Sequence, residues 1–112
     1  MTEAQVCKVL EEIGCSKEEI SIYLLLTTSG SEKTARQINE TLKIKLNKLY
    51  IDLRNLENKA LVRCTGRHPQ RFYAVKLEKV IERIIKTNLS KAKRLENGKE
   101  KTLFIWRSML KK

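Results

Sequence analysis

The sequence has 112 residues, 41% hydrophobic and 33% charged, which leaves room for one domain with a packed core and excludes a disordered chain. Its longest unbroken apolar run, Ile22 to Leu26, is far shorter than the roughly 20 residues a membrane-spanning helix needs, and Met1-Thr2-Glu3-Ala4-Gln5 lacks the pattern of a signal peptide, so a cytoplasmic protein without a membrane segment is expected. Net charge is +11 and polarised: residues 1–42 carry four basic and seven acidic side chains, net −3, whereas residues 43–112 carry twenty and six, net +14, a field suited to a polyanion such as nucleic acid.

Val6, Val9, Leu10 and Ile13 recur at i, i+3, i+4 and i+7 and predict a first amphipathic helix closed by Gly14. Ser16 and Glu19 have the spacing of a capping box, so a second helix starts there. It runs through Ile20, Ile22, Tyr23, Leu24, Leu25 and Leu26 to about Gly30, apolar on nearly every face, and so belongs at the centre of the core. Thr34 and Gln37 repeat the capping-box spacing, with Ala35, Ile38 and Leu42 along one side of a short third helix. After a turn at Lys43 and Ile44, a longer helix from about Lys45 to Lys59 carries Leu46, Leu49, Leu53, Leu56 and Ala60 on its apolar stripe. At 100° per residue, its opposite side carries Asn47, Lys48, Ile51, Arg54, Asn55 and Asn58. A short helix, a tight turn and a longer helix with a polar, basic outer side predict a helix-turn-helix.

Two β-prone runs follow, Leu61 to Thr65 and Arg71 to Val75, separated by Gly66-Arg67-His68-Pro69-Gln70, which predicts a hairpin with a basic tip. Helical period then returns from Leu77. Ile81, Ile85, Asn88, Ala92, Leu95, Lys99, Thr102, Trp106 and Met109 follow one another at steps of four and three, a heptad seam with Gly98 in its middle. Whether Asn97-Gly98 ends one helix and starts another is left open by the pattern. An apolar stripe this long exceeds what a small domain can cover, so pairing with a second copy is expected. The fold class is therefore mainly α with a small β-hairpin, an α+β winged helix-turn-helix carrying a long C-terminal dimerisation helix. Residues 1–76 are expected to form a DNA-binding domain and residues 77–112 its helical dimerisation segment.

Cys7, Cys15 and Cys64 are an odd number, which argues for free thiols; with His68 they form no set spaced like a structural zinc site, and no metal is expected. His68 is the sole histidine and no Gly-rich phosphate loop is present, so neither catalysis nor a cofactor is expected. The aromatic residues, 5% of the chain, fall mostly at core positions rather than in the pattern of a base-stacking RNA binder. Cys64, at the base of the hairpin, is a candidate site of oxidation.

Together these segments resemble the N-terminal DNA-binding domain of the archaeal TrmB-type regulators, winged helix proteins related to the MarR group. The family's opening Leu-Gly-Leu-Ser-x-x-Glu-Ala-x-x-Tyr is similar to Ile13 through Tyr23, and its short Thr-Ala-x-x-Ile helix to Thr34 through Ile38. Its recognition helix is matched by Asn47 through Val62, and its wing, Gly-Arg-Pro-x-Arg-Tyr-x-Ala-Val, by Gly66 through Val75 with His68 as one residue more. The likeness spans about residues 9 to 85. Lys45 stands where a proline is common, and the effector-binding domain of longer members is not matched, so no small-molecule effector is expected.

The resemblance implies double-stranded DNA binding and transcriptional control as a homodimer. In a winged helix, Asn47, Lys48, Ile51, Arg54 and Asn55 would face base edges in the major groove, with Asn suited to adenine, Arg or Lys to guanine, and Ile51 to a thymine methyl. Arg63, Arg67, His68 and Arg71 on the wing, and Arg36, Lys43 and Lys45 at the helix-turn-helix corner, would meet phosphates or the minor groove. The dimer contact would use Ile81, Ile85, Asn88, Ala92, Leu95, Trp106 and Met109. A sequence-specific, nucleoid-associated regulator is the leading expectation. The rivals are a chromosome-coating protein without sequence choice, and a winged helix serving as a protein interaction module of transcription or repair machinery.

Overall fold

The computed structural model describes residues 3–111. The chain divides into two compact units, Met1–Leu77 and Glu78–Lys112. In the first unit the order is α1 (Glu3–Ile13), α2 (Lys17–Ser29), β1 (Lys33–Thr34), α3 (Ala35–Leu42), α4 (Leu46–Asn58), β2 (Val62–Thr65) and β3 (Arg71–Ala74).

Local chemistry sets each boundary. At the end of α1 the Gly14 amide donates to the Glu11 carbonyl and the Cys15 amide to the Leu10 carbonyl, both at 3.0 Å, and Gly14 has φ 106, a conformation costly for any residue with a Cβ. The Ser16 hydroxyl accepts from the Glu19 amide while the Glu19 carboxylate accepts from the Ser16 amide, so both halves of the capping box exist. Thr34 and Gln37 do the same for α3. The turn after α3 passes through Lys43 at φ 59, whose amide donates to the Asn39 carbonyl at 2.8 Å, and the Asn39 side chain donates to the Ile44 carbonyl. Helix α4 begins after Lys45, whose side chain makes no capping bond.

The core of this unit is built from Leu10, Ile20, Ile22, Tyr23, Leu26, Ala35, Ile38, Leu49, Leu53, Leu56, Leu61, Val62, Phe72 and Val75, all buried. Burial of a large aliphatic side chain contributes about 1.5 to 3 kcal/mol. As its sequence requires, α2 has buried residues on several sides, Ile20, Ile22, Tyr23 and Leu26 among them. Leu46 departs from the expected stripe: at the first position of α4 it is 44% exposed, beyond the reach of the core that covers Leu49, Leu53 and Leu56.

The hairpin is part of a three-stranded antiparallel sheet of order β1-β3-β2. Strand β1, which no periodicity announces because it is two residues long, places Lys33 opposite Phe72 and Thr34 opposite Arg71. In the β2–β3 pair Val62 faces Ala74, Arg63 faces Tyr73, Cys64 faces Phe72 and Thr65 faces Arg71. Alternation therefore sends Val62 and Phe72 into the core and leaves Arg63, Thr65 and Arg71 exposed on the other side. The loop between the strands turns at Gly66, φ 75, where a Cβ would lie 3.1 Å from the Pro69 carbonyl oxygen.

The second unit is one helix. α5 (Leu77–Leu110) runs 34 residues without a break, straight through Asn97 and Gly98, which settles the alternative that the sequence pattern leaves open. A single Gly in a helix interior costs roughly 1 kcal/mol, too little to end a helix with more than ten residues on each side. Ile85, Leu89, Leu95, Phe104, Ile105, Trp106, Met109 and Leu110 are all exposed along it. Phe104 and Trp106 are therefore not core residues as expected of most aromatics, nor is Tyr50 on α4. Among the described residues no helix is long and apolar enough to cross a membrane.

Candidate nucleic-acid interface

Helix α4 follows α3 after a three-residue turn and presents three distinct sides. At 100° per residue Leu49, Leu53 and Leu56 share the buried side. Opposite them, Asn47, Ile51, Arg54 and Asn58 recur at intervals of four, three and four, and every one is exposed. Ile51 is 54% exposed in the middle of this polar stripe, and Tyr50, on its flank, is 47% exposed. The Asn47 Oδ1 accepts from the Lys48 amide at 2.9 Å, which leaves the Asn47 Nδ2 to donate outward.

The third side was not distinguished by the sequence, and it divides the expected reading face. Lys48, Asp52, Asn55 and Lys59 form a separate polar stripe. The Lys48 Nζ donates to the Asp52 Oδ1 at 2.7 Å, and Asp52 is fully buried. This bond raises the pKa of Lys48 above its ordinary value. The Asn55 Nδ2 donates to the Glu19 Oε2 at 3.1 Å and the Lys59 Nζ to the Glu19 Oε1 at 2.9 Å. Asn55 is half-buried and committed to α2, and it does not stand on the open side with Asn47, Ile51 and Arg54. Glu19 is only 4% exposed; burial pushes its carboxyl up, but the bonds from Lys59, the Ser16 amide and Asn55 outweigh burial and hold it below the usual carboxylate range.

Arg36, Lys43, Lys45, Arg63, Arg67, His68 and Arg71 are all exposed, at the helix-turn-helix corner and on the hairpin as expected. Among the described residues the ion pairs are Lys48–Asp52 and Lys59–Glu19, so none of these arginines and lysines, nor Arg54, is neutralised by a carboxylate. Such uncompensated cations attract phosphate and release its counterions.

Cys7, Cys15 and Cys64 are free thiols, and among the described residues no cluster of metal-ligating side chains forms. Cys64 lies 3.7 Å from the Glu57 carboxylate. Partial burial and that negative charge raise its pKa, which lowers its thiolate fraction and hence its reactivity. A cavity of about 830 Å³ opens between α1, α2 and β3, lined by Val6, Leu24, Leu26, Tyr73 and Val75; none of the exposed cations named above lines it.

A helix-turn-helix followed by a basic hairpin, which pairs with β1 in a three-stranded sheet, is a winged helix. Residues 10–78, well over half the chain, match the family described as "Sugar-specific transcriptional regulator TrmB", and the chain belongs to that family. The fold is similar to the crystal structure of the ST1889 protein from the thermoacidophilic archaeon Sulfolobus tokodaii, with a TM-score of 0.63 at 17% sequence identity over 84% of this chain and 93% of that one. No curated protein matches. The family is one of transcriptional regulators, and the chain is a transcription regulator by class.

Proposed function

We propose that this protein is a sequence-specific, double-stranded DNA-binding regulator that acts as a homodimer in the cytoplasm, associated with the nucleoid, and carries no catalytic site. The observation that supports it is the open stripe of α4: Asn47, Ile51, Arg54 and Asn58 are exposed on one line, in the same unit as Arg67 and Arg71 of the wing, which are exposed and among the described residues pair with no carboxylate. Amide and guanidinium donors interrupted by one aliphatic side chain suit the mixed pattern of donors, acceptors and methyl groups on major-groove base edges.

Arg63, Arg67, His68 and Arg71 would contact phosphates or the minor groove, with Arg36, Lys43 and Lys45 doing so at the corner. Asn55, bound to Glu19 of α2, would hold α4 in place rather than read bases, whereas Lys48, paired with Asp52 on its own helix, stays exposed beside the open stripe. The exposed α5 residues Ile85, Leu89, Leu95, Trp106 and Met109, with Asn88 and Ala92 between them, supply an apolar stripe for a second copy, and Ile81 begins it.

Selection of bound fragments from the source genome, followed by anisotropy titration of a selected duplex and its scrambled counterpart, tests the proposal. A preference of a thousandfold or more, typical of specific regulators, is expected. A ratio near one would establish the coating role instead, and failure to bind duplex DNA at low ionic strength would favour a protein interaction module.

A further inference from the structure

Glu19 does more than cap a helix. Its carboxylate closes the capping box of α2 with the Ser16 amide at 3.1 Å, and it also receives Lys59 at 2.9 Å and Asn55 at 3.1 Å from the far end of α4. One buried carboxylate thus joins two helices through two charge-assisted bonds and one backbone bond. On α4 its partners lie on the stripe of Lys48, Asp52, Asn55 and Lys59, about 100° around the helix from the open stripe of Asn47, Ile51, Arg54 and Asn58.

That arrangement bears on orientation. Leu49, Leu53 and Leu56 hold α4 against the core by burial, which selects the side of the helix that faces inward but carries no directional bond. Hydrogen bonds to a carboxylate are narrow in distance and angle. With side-chain tips about 5 to 6 Å from the axis, a rotation of about 30° moves them by about 3 Å, enough to break any contact with a base edge.

We propose that Glu19 is a positioning residue for the recognition helix: by holding Asn55 and Lys59 it sets the rotation of α4, and so decides which four side chains face the groove, without touching DNA itself. This rests on the DNA-binding function proposed above.

The test uses the full chain and three variants, Glu19→Gln, Asn55→Leu and Lys59→Met. The last two leave the capping box intact, so they remain informative if Glu19→Gln folds poorly. The probes are a duplex selected by the wild-type protein from a random-sequence library and a scrambled version of it. Each variant is expected to lower the selected-to-scrambled affinity ratio about tenfold while the dependence of log affinity on log salt stays unchanged, because phosphate contacts are untouched. Glu19→Gln combined with Lys59→Met should lose no more than the worse single variant. A ratio within twofold of wild type, or an equal loss on both duplexes, would overturn the proposal and leave Glu19 a stabilising group alone. Residual dipolar couplings of α4 relative to α2, measured without DNA, should report a rotated α4 in Glu19→Gln, and an unrotated helix would overturn it as well. If wild type shows no preference for any duplex, the DNA-binding function falls, and the couplings still decide whether Glu19 orients α4.

Discussion

The phenol of Tyr23 donates a buried 2.7 Å hydrogen bond to the carbonyl of Val75, fifty-two residues further along the chain. Val75 in turn donates its amide to the Leu61 carbonyl at 2.8 Å, so the central helix α2 is tied to the residues that flank the base of the β2–β3 hairpin. Tyr23→Phe keeps the ring in the core but leaves the Val75 carbonyl without that donor. A loss of about 1 to 3 kcal/mol is expected, read as a lower urea midpoint at unchanged slope. A midpoint equal to wild type would show that the bond contributes nothing net.

Ala60 stands at φ 62 directly after α4, where its amide donates to the Glu57 carbonyl and the Leu61 amide to the Leu56 carbonyl, both at 2.9 Å. This is a Schellman ending with alanine in the place that favours glycine. The left-handed conformation costs a residue with a Cβ about 1 to 2 kcal/mol, and glycine returns part of the gain as extra freedom of the unfolded chain. Ala60→Gly is therefore expected to stabilise the protein by about 0.5 to 1 kcal/mol. The opposite change at the corresponding place after α1, Gly14→Ala at φ 106, should destabilise it. Thermal melts of the two variants decide both signs.

Glu19 contributes to the acid limb of stability. Its carboxyl pKa lies below the ordinary 4.5 in the folded protein, so the unfolded chain binds its proton first as pH falls. The stabilisation is therefore complete above about pH 4.5 and disappears as pH drops through the lower folded value. In Glu19→Gln the stability difference from wild type should shrink as pH is lowered through that window. A constant difference between pH 7 and pH 3 would show that the ionised form contributes nothing.

Division of labour on DNA is testable side chain by side chain. Arg67→Ala should weaken binding to selected and scrambled duplexes alike and reduce the salt slope by about one. Asn47→Ala and Arg54→Ala should instead lower discrimination, each by about 1 to 3 kcal/mol. Parallel losses from both kinds of variant would remove α4 as the reader.

Leu95 sits in the middle of the exposed stripe of α5, at 74% exposure. Leu95→Asp would bury an unpaired charge at a paired seam and is expected to convert a dimer to a monomer in light scattering. An unchanged mass would place the interface elsewhere.

Most of the fold was legible because its signals are local. Ser16 with Glu19, and Thr34 with Gln37, announce their helices within four residues, and both boxes form. The alternation around Val62 and Phe72, broken by Gly66, announces the hairpin. Strand β1 was not legible, since two residues have no period and Lys33 and Thr34 become a strand only because β3 lies beside them. Nor was the division of the outer side of α4. Asn55 and Arg54 are both polar and adjacent, and only the position of Glu19, thirty-six residues earlier, commits one of them and leaves the other free.

Residue order is enough to give the helices, the hairpin, the concentration of positive charge after residue 42 and the apolar stripe of α5, since periodicity, caps and charge act between near neighbours. Tertiary structure alone decided which polar side chains on α4 are spent on a buried carboxylate and which stay open, because desolvation and hydrogen bonding depend on what packs opposite a residue. That choice is made by contacts between α2 and α4, which sequence distance conceals.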